Sequence, residues 1–357
     1  MAENKIYLAI GEEQARGVRE SVSVGFVPLL TPGIPKVEFD DKKINEFRGE
    51  DHVKGDTAVR RMGQKWHTSL EMPFFTEAGK IKGMTGTLIK HFFGTAVTSK
   101  DAVTGQSSHM LYPTADPFSP ANLGSKALTL NFNINEGSVM KNWPFAGGRV
   151  KSLLFTQEAG QQLKLTTEMF GQFRDAVGNE LGAPVFAAEA LRCDYNELRV
   201  YTGAVTREGV APDFTGFGFK NAIALYPDKL SVKIENGMED HLRLSGLTYP
   251  DKTRMGRFKV AFEMTLDWED PASGFSSVAE FNSRFSTAGS SNFTLHWDAG
   301  AGHALYIDLP SLHRTGGDPN YNASKDPMVT LKYEGLYDAA TTKYMVGLML
   351  KNTAIAV

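Results

Sequence analysis

Cysteine is almost missing from this chain. Cys193 stands alone among 357 residues, which excludes an intrachain disulfide and a cysteine-based metal cluster. One thiol with apolar neighbours reads as inert packing. Neither sign of charge is in excess: the net charge of −3 leaves no basic footprint for sequence-specific nucleic-acid binding. No apolar run approaches the roughly 20 residues of a membrane-spanning helix. Glu3 and Lys5 near the start are not followed by the apolar core of a secretory signal. The expectation is a chain made in a cytoplasm, away from membranes.

Catalytic spacings are missing as well. There is no His-Glu-x-x-His, no Gly-x-Ser-x-Gly, no calcium loop, and the eight histidines scatter without ligand spacing. Asp298-Ala-Gly-Ala-Gly-His303 is glycine-rich but leads into a strand-like run, not into the helix that a phosphate cradle needs. Gly147-Gly148-Arg149-Val150-Lys151-Ser152 departs from phosphate-loop spacing in the same way. These absences predict no enzyme, no cofactor and no metal.

What is present is an echo. Glu50-Asp51-His52-Val53-Lys54 returns as Glu239-Asp240-His241-Leu242-Arg243. Both stretches run on to Arg-Met-Gly, at Arg61-Met62-Gly63 and Arg254-Met255-Gly256, and then to Glu71-Met72 and Glu263-Met264. Three landmarks repeated in order point to one structural unit written twice. A carboxylate pair beside an imidazole could serve acid–base or metal chemistry. Neighbours on an extended chain point in alternate directions, however, so a shared structural role is the stronger reading.

Beyond Arg-Met-Gly each half turns to strict alternation. Val260, Phe262, Met264 and Leu266 fall on one face, with Lys259, Ala261, Glu263 and Thr265 on the other. Trp66, Thr68, Leu70 and Met72 alternate likewise with Lys65, His67, Ser69 and Glu71. Period two predicts half-buried strands. A short amphipathic helix should follow in each half: Leu88, Ile89, Phe92 and Phe93 before Gly94, then Val278, Phe281 and Phe285 behind a Ser277–Glu280 capping box. Further strands are predicted at 22–30, 128–132, 198–206, 230–234, 293–297, 305–309 and 344–350. The predicted fold is mainly β (α+β), two tandem β-sandwich or barrel-like domains with one packed helix each. The first unit spans 1–180, with an inserted surface loop over 97–125, and the second spans 181–357.

Two stretches look suited to contacts between subunits. Residues 36–61 are highly charged and read either as a solvated loop or as an arm laid across a neighbour. Residues 235–254 are more apolar. The candidate contacts are Glu50, Asp51, His52 and Arg61 in the first stretch, with Glu239, Asp240, His241, Leu242, Tyr249 and Arg254 in the second.

This order of parts resembles the tail tube proteins of long-tailed bacteriophages. The parts are the charged loop ending in Arg-Met-Gly, the strand Trp66 to Met72, the helix with Phe92-Phe93-Gly94, Ala127 to Phe132, and the strand pairs that close each half. The resemblance implies sheets joined side by side into a ring, rings stacked into a tube, and DNA as non-specific cargo. It implies a virion location, with the tape measure, tail terminator and distal tail proteins as partners. Two units per chain would make the ring a trimer with pseudo-sixfold symmetry. Glu71, Lys259 and Glu263, on the polar strand faces, become candidate lumen-facing residues, with the acidic groups repelling DNA. The competing reading is a carbohydrate- or receptor-binding β-sandwich of a virion tail, hinted at only by Gly316 to Tyr321.

Overall fold

The computed structural model describes residues 6–44, 58–76, 84–186, 191–241, 243, 247–286, 290–300, 302–317, 319–320 and 326–353. Its first half runs β1 (Ile6–Glu13), β2 (Val24–Val27), β3 (Lys36–Ile44), β4 (Ala58–Pro73), α1 (Thr85–Phe93), β5 (Val97–Lys100), β6 (Ser107–Leu111), β7 (Ala127–Glu136), β8 (Val139–Glu158), β9 (Lys164–Gly171), β10 (Phe173–Arg174) and β11 (Gly178–Asn179). The second runs β12 (Leu198–Val210), β13 (Asp213–Leu225), β14 (Lys229–Glu235), β15 (Glu239–His241), β16 (Lys252–Arg254), β17 (Lys259–Asp267), α2 (Ser277–Ser286), β18 (Ser291–Asp298), β19 (Ala304–Gly316), β20 (Pro319–Asn320), β21 (Met328–Gly335) and β22 (Gly347–Asn352). The fold is mainly β, and every strand pairing is antiparallel.

The first half makes two layers. One is ordered β2-β1-β7-β8, using the early part of β8. The other is ordered β3-β4-β9-β8, using its later part. The 20-residue β8 therefore passes from one layer to the other. It turns where Gly147 adopts φ 71° and where register shifts at Leu128/Leu130 and Val150/Ser152 add twist. Trp66 fills the corner, its indole N–H donating to Ala146 O at 2.9 Å. A Cβ on Gly171 would stand 2.3 Å from that ring, so only glycine fits there.

The second half pairs in a matching order, β13-β12-β18-β19 in one layer and β14-β17-β21-β19 in the other. Its register shift at Arg314/Gly316 lies opposite Tyr333 and Lys332, as that at Val150/Ser152 lies opposite Met169 and Glu168. Burial follows the alternation read from the sequence: Val260, Phe262, Met264 and Leu266 are buried, and Lys259 and Ala261 are exposed. One continuous apolar core runs through both halves, from Leu8 and Trp66 to Trp297 and Leu350.

Several expectations change. The strand foreseen over 22–30 shrinks to Val24–Val27, because Pro28 has no N–H to extend it. Residues 36–61 are not one loop, since they open with β3 and close inside β4. α1 ends as expected, at Gly94 with φ 91°. α2 is capped one residue earlier than predicted, by the Ser276 hydroxyl accepting from Ala279 N at 2.8 Å. Glu280 does not fold back over the helix start, because its carboxylate accepts from Ser291 and Tyr333. Phe285 is not core at all but 73% exposed. Within 97–125, β5 and β6 form a hairpin whose β6 extends the β22 edge of the second half.

Candidate assembly surfaces

The two halves meet strand to strand. β14 pairs with the later part of β8, Lys229 opposite Glu158 through to Glu235 opposite Ser152. The result is one sheet ordered β3-β4-β9-β8-β14-β17-β21, completed by the tail of β19. At its ends, among the described residues, β3 pairs with β4 alone, and His313 to Gly316 of β19 pair with β21 alone.

One face of this sheet lies on the core, and the other carries the polar set. Cross-strand pairs cover it: Lys65 with Glu38 at 3.0 Å, Lys164 with Glu71 at 3.8 Å, and Lys332 with Glu263 at 3.6 Å. Lys229 pairs with Glu158 across the junction itself. The hydrogen bond from Lys65 holds the Glu38 carboxyl below its usual range, and that from Lys229 does the same for Glu158. Lys259 is exposed in β17, directly opposite Glu235. Glu71 and Glu263 thus sit on the same polar face, each with a lysine. Their strand positions differ by two residues, however. Leu165 faces Met72 while Val329 faces Leu266, which makes Ser69 the counterpart of Glu263.

A second set of contacts ties the connection after β14 to the first half. Glu239, Asp240 and His241 pair with Arg254, Thr253 and Lys252 in a small hairpin. Asp240 accepts two bonds from the Arg16 guanidinium at 2.8 and 2.9 Å, with both side chains 9% exposed, and a third from Thr253. Tyr249 packs on Phe173 with ring centres 5.0 Å apart, and Gln172 donates to Pro250 O. Asn236, fully buried, donates to Val150 O at 2.9 Å and Phe92 O at 3.3 Å. Phe258 covers Phe92 and Phe93. Glu50, Asp51, His52 and Leu242 lie outside the described residues, and Arg61 is placed only through its backbone, opposite Asp41.

Among the described residues no group of three or more His, Cys, Asp or Glu could hold a metal ion. Burial pushes the Cys193 thiol up, away from the reactive thiolate. No described helix is long and apolar enough to cross a membrane. Sequence reasoning missed the lysine partners of the acidic residues, and it missed Phe39, Leu336 and Tyr337, which are 47%, 45% and 61% exposed. The alternation Val37-x-Phe39 inside a charged stretch was a usable signal for the first of these.

No curated protein matches the chain. The family described as phage tail tube protein matches residues 4–336, from the start of the first half through the junction to the end of β21 in the second. The chain therefore belongs to the phage tail tube protein family, a structural family of the virion tail.

Proposed function

We propose that three copies of this chain close into a ring, that rings stack into the tail tube, and that the tube carries DNA into the host. The observation behind this reading is the β14·β8 junction. One half is already joined to the other by strand pairing, and the same sheet ends in β3 on one side and the β19 tail on the other. An edge of that kind invites strand addition. Repeating the junction from chain to chain consumes both edges, and a repeated head-to-tail contact that closes gives a ring.

The matching strand orders of the two halves support a duplicated unit, with residues 1–180 and 181–357 as its two versions. Six such units then need three chains. The polar sheet face would line the bore, and the other tail proteins (tape measure, terminator and distal tail) would meet the tube at its ends. Negative-stain microscopy of the concentrated protein tests the reading. Stacked rings with a stain-filled centre are expected; discrete single-chain particles at every concentration would sink it.

A further inference from the structure

Asn236-Gly237 is the one Asn-Gly pair in the chain, and it stands where β14 ends beside β8. The geometry there requires both residues. Gly237 adopts φ 60°, and a Cβ on it would stand 2.9 Å from Gly256 Cα, so the connection after β14 can start and return at this crossing only with glycine. Asn236 is needed as an amide. Its Nδ2 donates to Phe92 O at 3.3 Å and to Val150 O at 2.9 Å, and its Oδ1 accepts from Met238 N at 3.0 Å. Phe92 O belongs to the last turn of α1, where no helical N–H is left to meet it. One side chain with no exposed surface thus serves three backbone groups.

An asparagine before glycine is also chemically labile. The glycine has no side chain to hold its nitrogen away from the amide carbon. Gly237 N can attack Asn236 Cγ, forming a C–N bond and a cyclic imide, while the amide nitrogen leaves as ammonia with the proton of the attacking N–H. Water then opens the imide at either carbonyl and yields aspartate or isoaspartate. The folded chain resists the first step, because the amide is held through both its nitrogen and its oxygen, away from solvent.

The product does not fit the place that held the amide. A carboxylate at 236 would turn its charge toward two carbonyl oxygens, which cannot donate, and toward the negative end of α1. It would do so without water to solvate it. Isoaspartate would add a methylene to the backbone immediately before the crossing with Gly256. We infer that Asn236 is a site of spontaneous deamidation, that the closed β8·β14 junction suppresses the reaction, and that one conversion keeps the junction from closing again. Local opening here is then the event by which the chain ages in a particle that is not renewed after assembly.

Peptide mapping by mass spectrometry tests this. The protein is kept at mildly alkaline pH, folded in buffer and unfolded in guanidinium, and the conversion of residue 236 to the acid is followed. Conversion should be at least about tenfold faster in guanidinium, since the folded chain reacts only while locally open. Asn142, followed by the bulky Trp143, should keep its amide over the same time. On return to buffer, chains that kept Asn236 should refold, and converted chains should stay unfolded or show a lower urea midpoint. Asn236→Ala loses the same hydrogen bonds without gaining a charge, so its midpoint should fall below that of the parent and that of Asn236→Asp should fall further. Equal rates in buffer and guanidinium, equal conversion at Asn142, converted chains with the midpoint of the parent, or an Asn236→Asp protein as stable as Asn236→Ala would overturn the inference.

Discussion

His91 has no exposed surface on α1, and its Nε2 lies 3.1 Å from Glu12 Oε1. Its Nδ1 has no acceptor among the described residues. Protonation would therefore place a second N–H in the core with nothing to receive it, and burial pushes the imidazole down from 6.5 to about 4. Burial raises the Glu12 carboxyl, but the His91 N–H and Lys126, 3.2 Å away, outweigh that and hold it well below the usual range. The two groups act in separate windows. A histidine that stays neutral in the fold lets the unfolded chain bind a proton that the native state refuses. Stability should thus fall as pH drops from about 6.5 to about 4, by about 3 kcal/mol at most. Glu12 is ionised in the fold, so its contribution is lost only below about 4.5, the unfolded value. His296, also lowered to about 4 by burial, adds to the first window. Urea midpoints measured from pH 7 to pH 4 should decline, and His91→Gln should flatten part of that decline; an unchanged slope would show that His91 takes up its proton alike in the folded and the unfolded chain.

The hairpin of β5 and β6 is fastened at one point to both halves. His109, fully buried, contacts Thr98 Oγ1 at 2.9 Å through Nδ1 and Asn352 Oδ1 at 3.0 Å through Nε2, and Asn352 in turn donates to Thr76 O at 3.0 Å. Asn352→Ala removes one bond to a buried imidazole nitrogen and one to the Thr76 carbonyl. The expected cost is about 1–3 kcal/mol, read as a lower urea midpoint together with faster proteolysis within 97–125. Nothing local in the sequence announces this clasp, because its residues are far apart along the chain. What was legible was periodicity: the alternation of Val260 to Leu266 gave strand and buried face correctly, and Phe92-Phe93-Gly94 gave a helix and its end. β8 was not foreseen as one strand, because Pro144 and Gly147-Gly148 interrupt the sequence of an element that serves two layers. Phe285 was misread because spacing on a helix says which residues share a face, not whether that face is covered. Leu336 and Tyr337 were invisible for a related reason: their exposure is a property of the folded edge.

At the scale of the molecule, the polar sheet face carries acid and base in pairs and has no standing sign. Passing phosphates would meet lysines already engaged by Glu38, Glu71 and Glu263, which denies them the row of free cations that makes DNA stick. Glu71→Gln with Glu263→Gln frees Lys164 and Lys332. Such particles should assemble normally but retain DNA in a salt-dependent way and eject it more slowly; failure to form tubes would place these carboxylates at a contact instead. The sheet also sets a dimension. Each half contributes four strands to it, so a closed ring of three chains is a barrel of about two dozen strands spaced roughly 4.8 Å apart. With strands tilted about 40°, its backbone diameter is on the order of 45–50 Å. Side chains narrow that by about a quarter, and the width remaining would admit a hydrated double helix but not a globular protein of ordinary size. The calibre of the channel would then be written in the number of times a strand pairs with its neighbour.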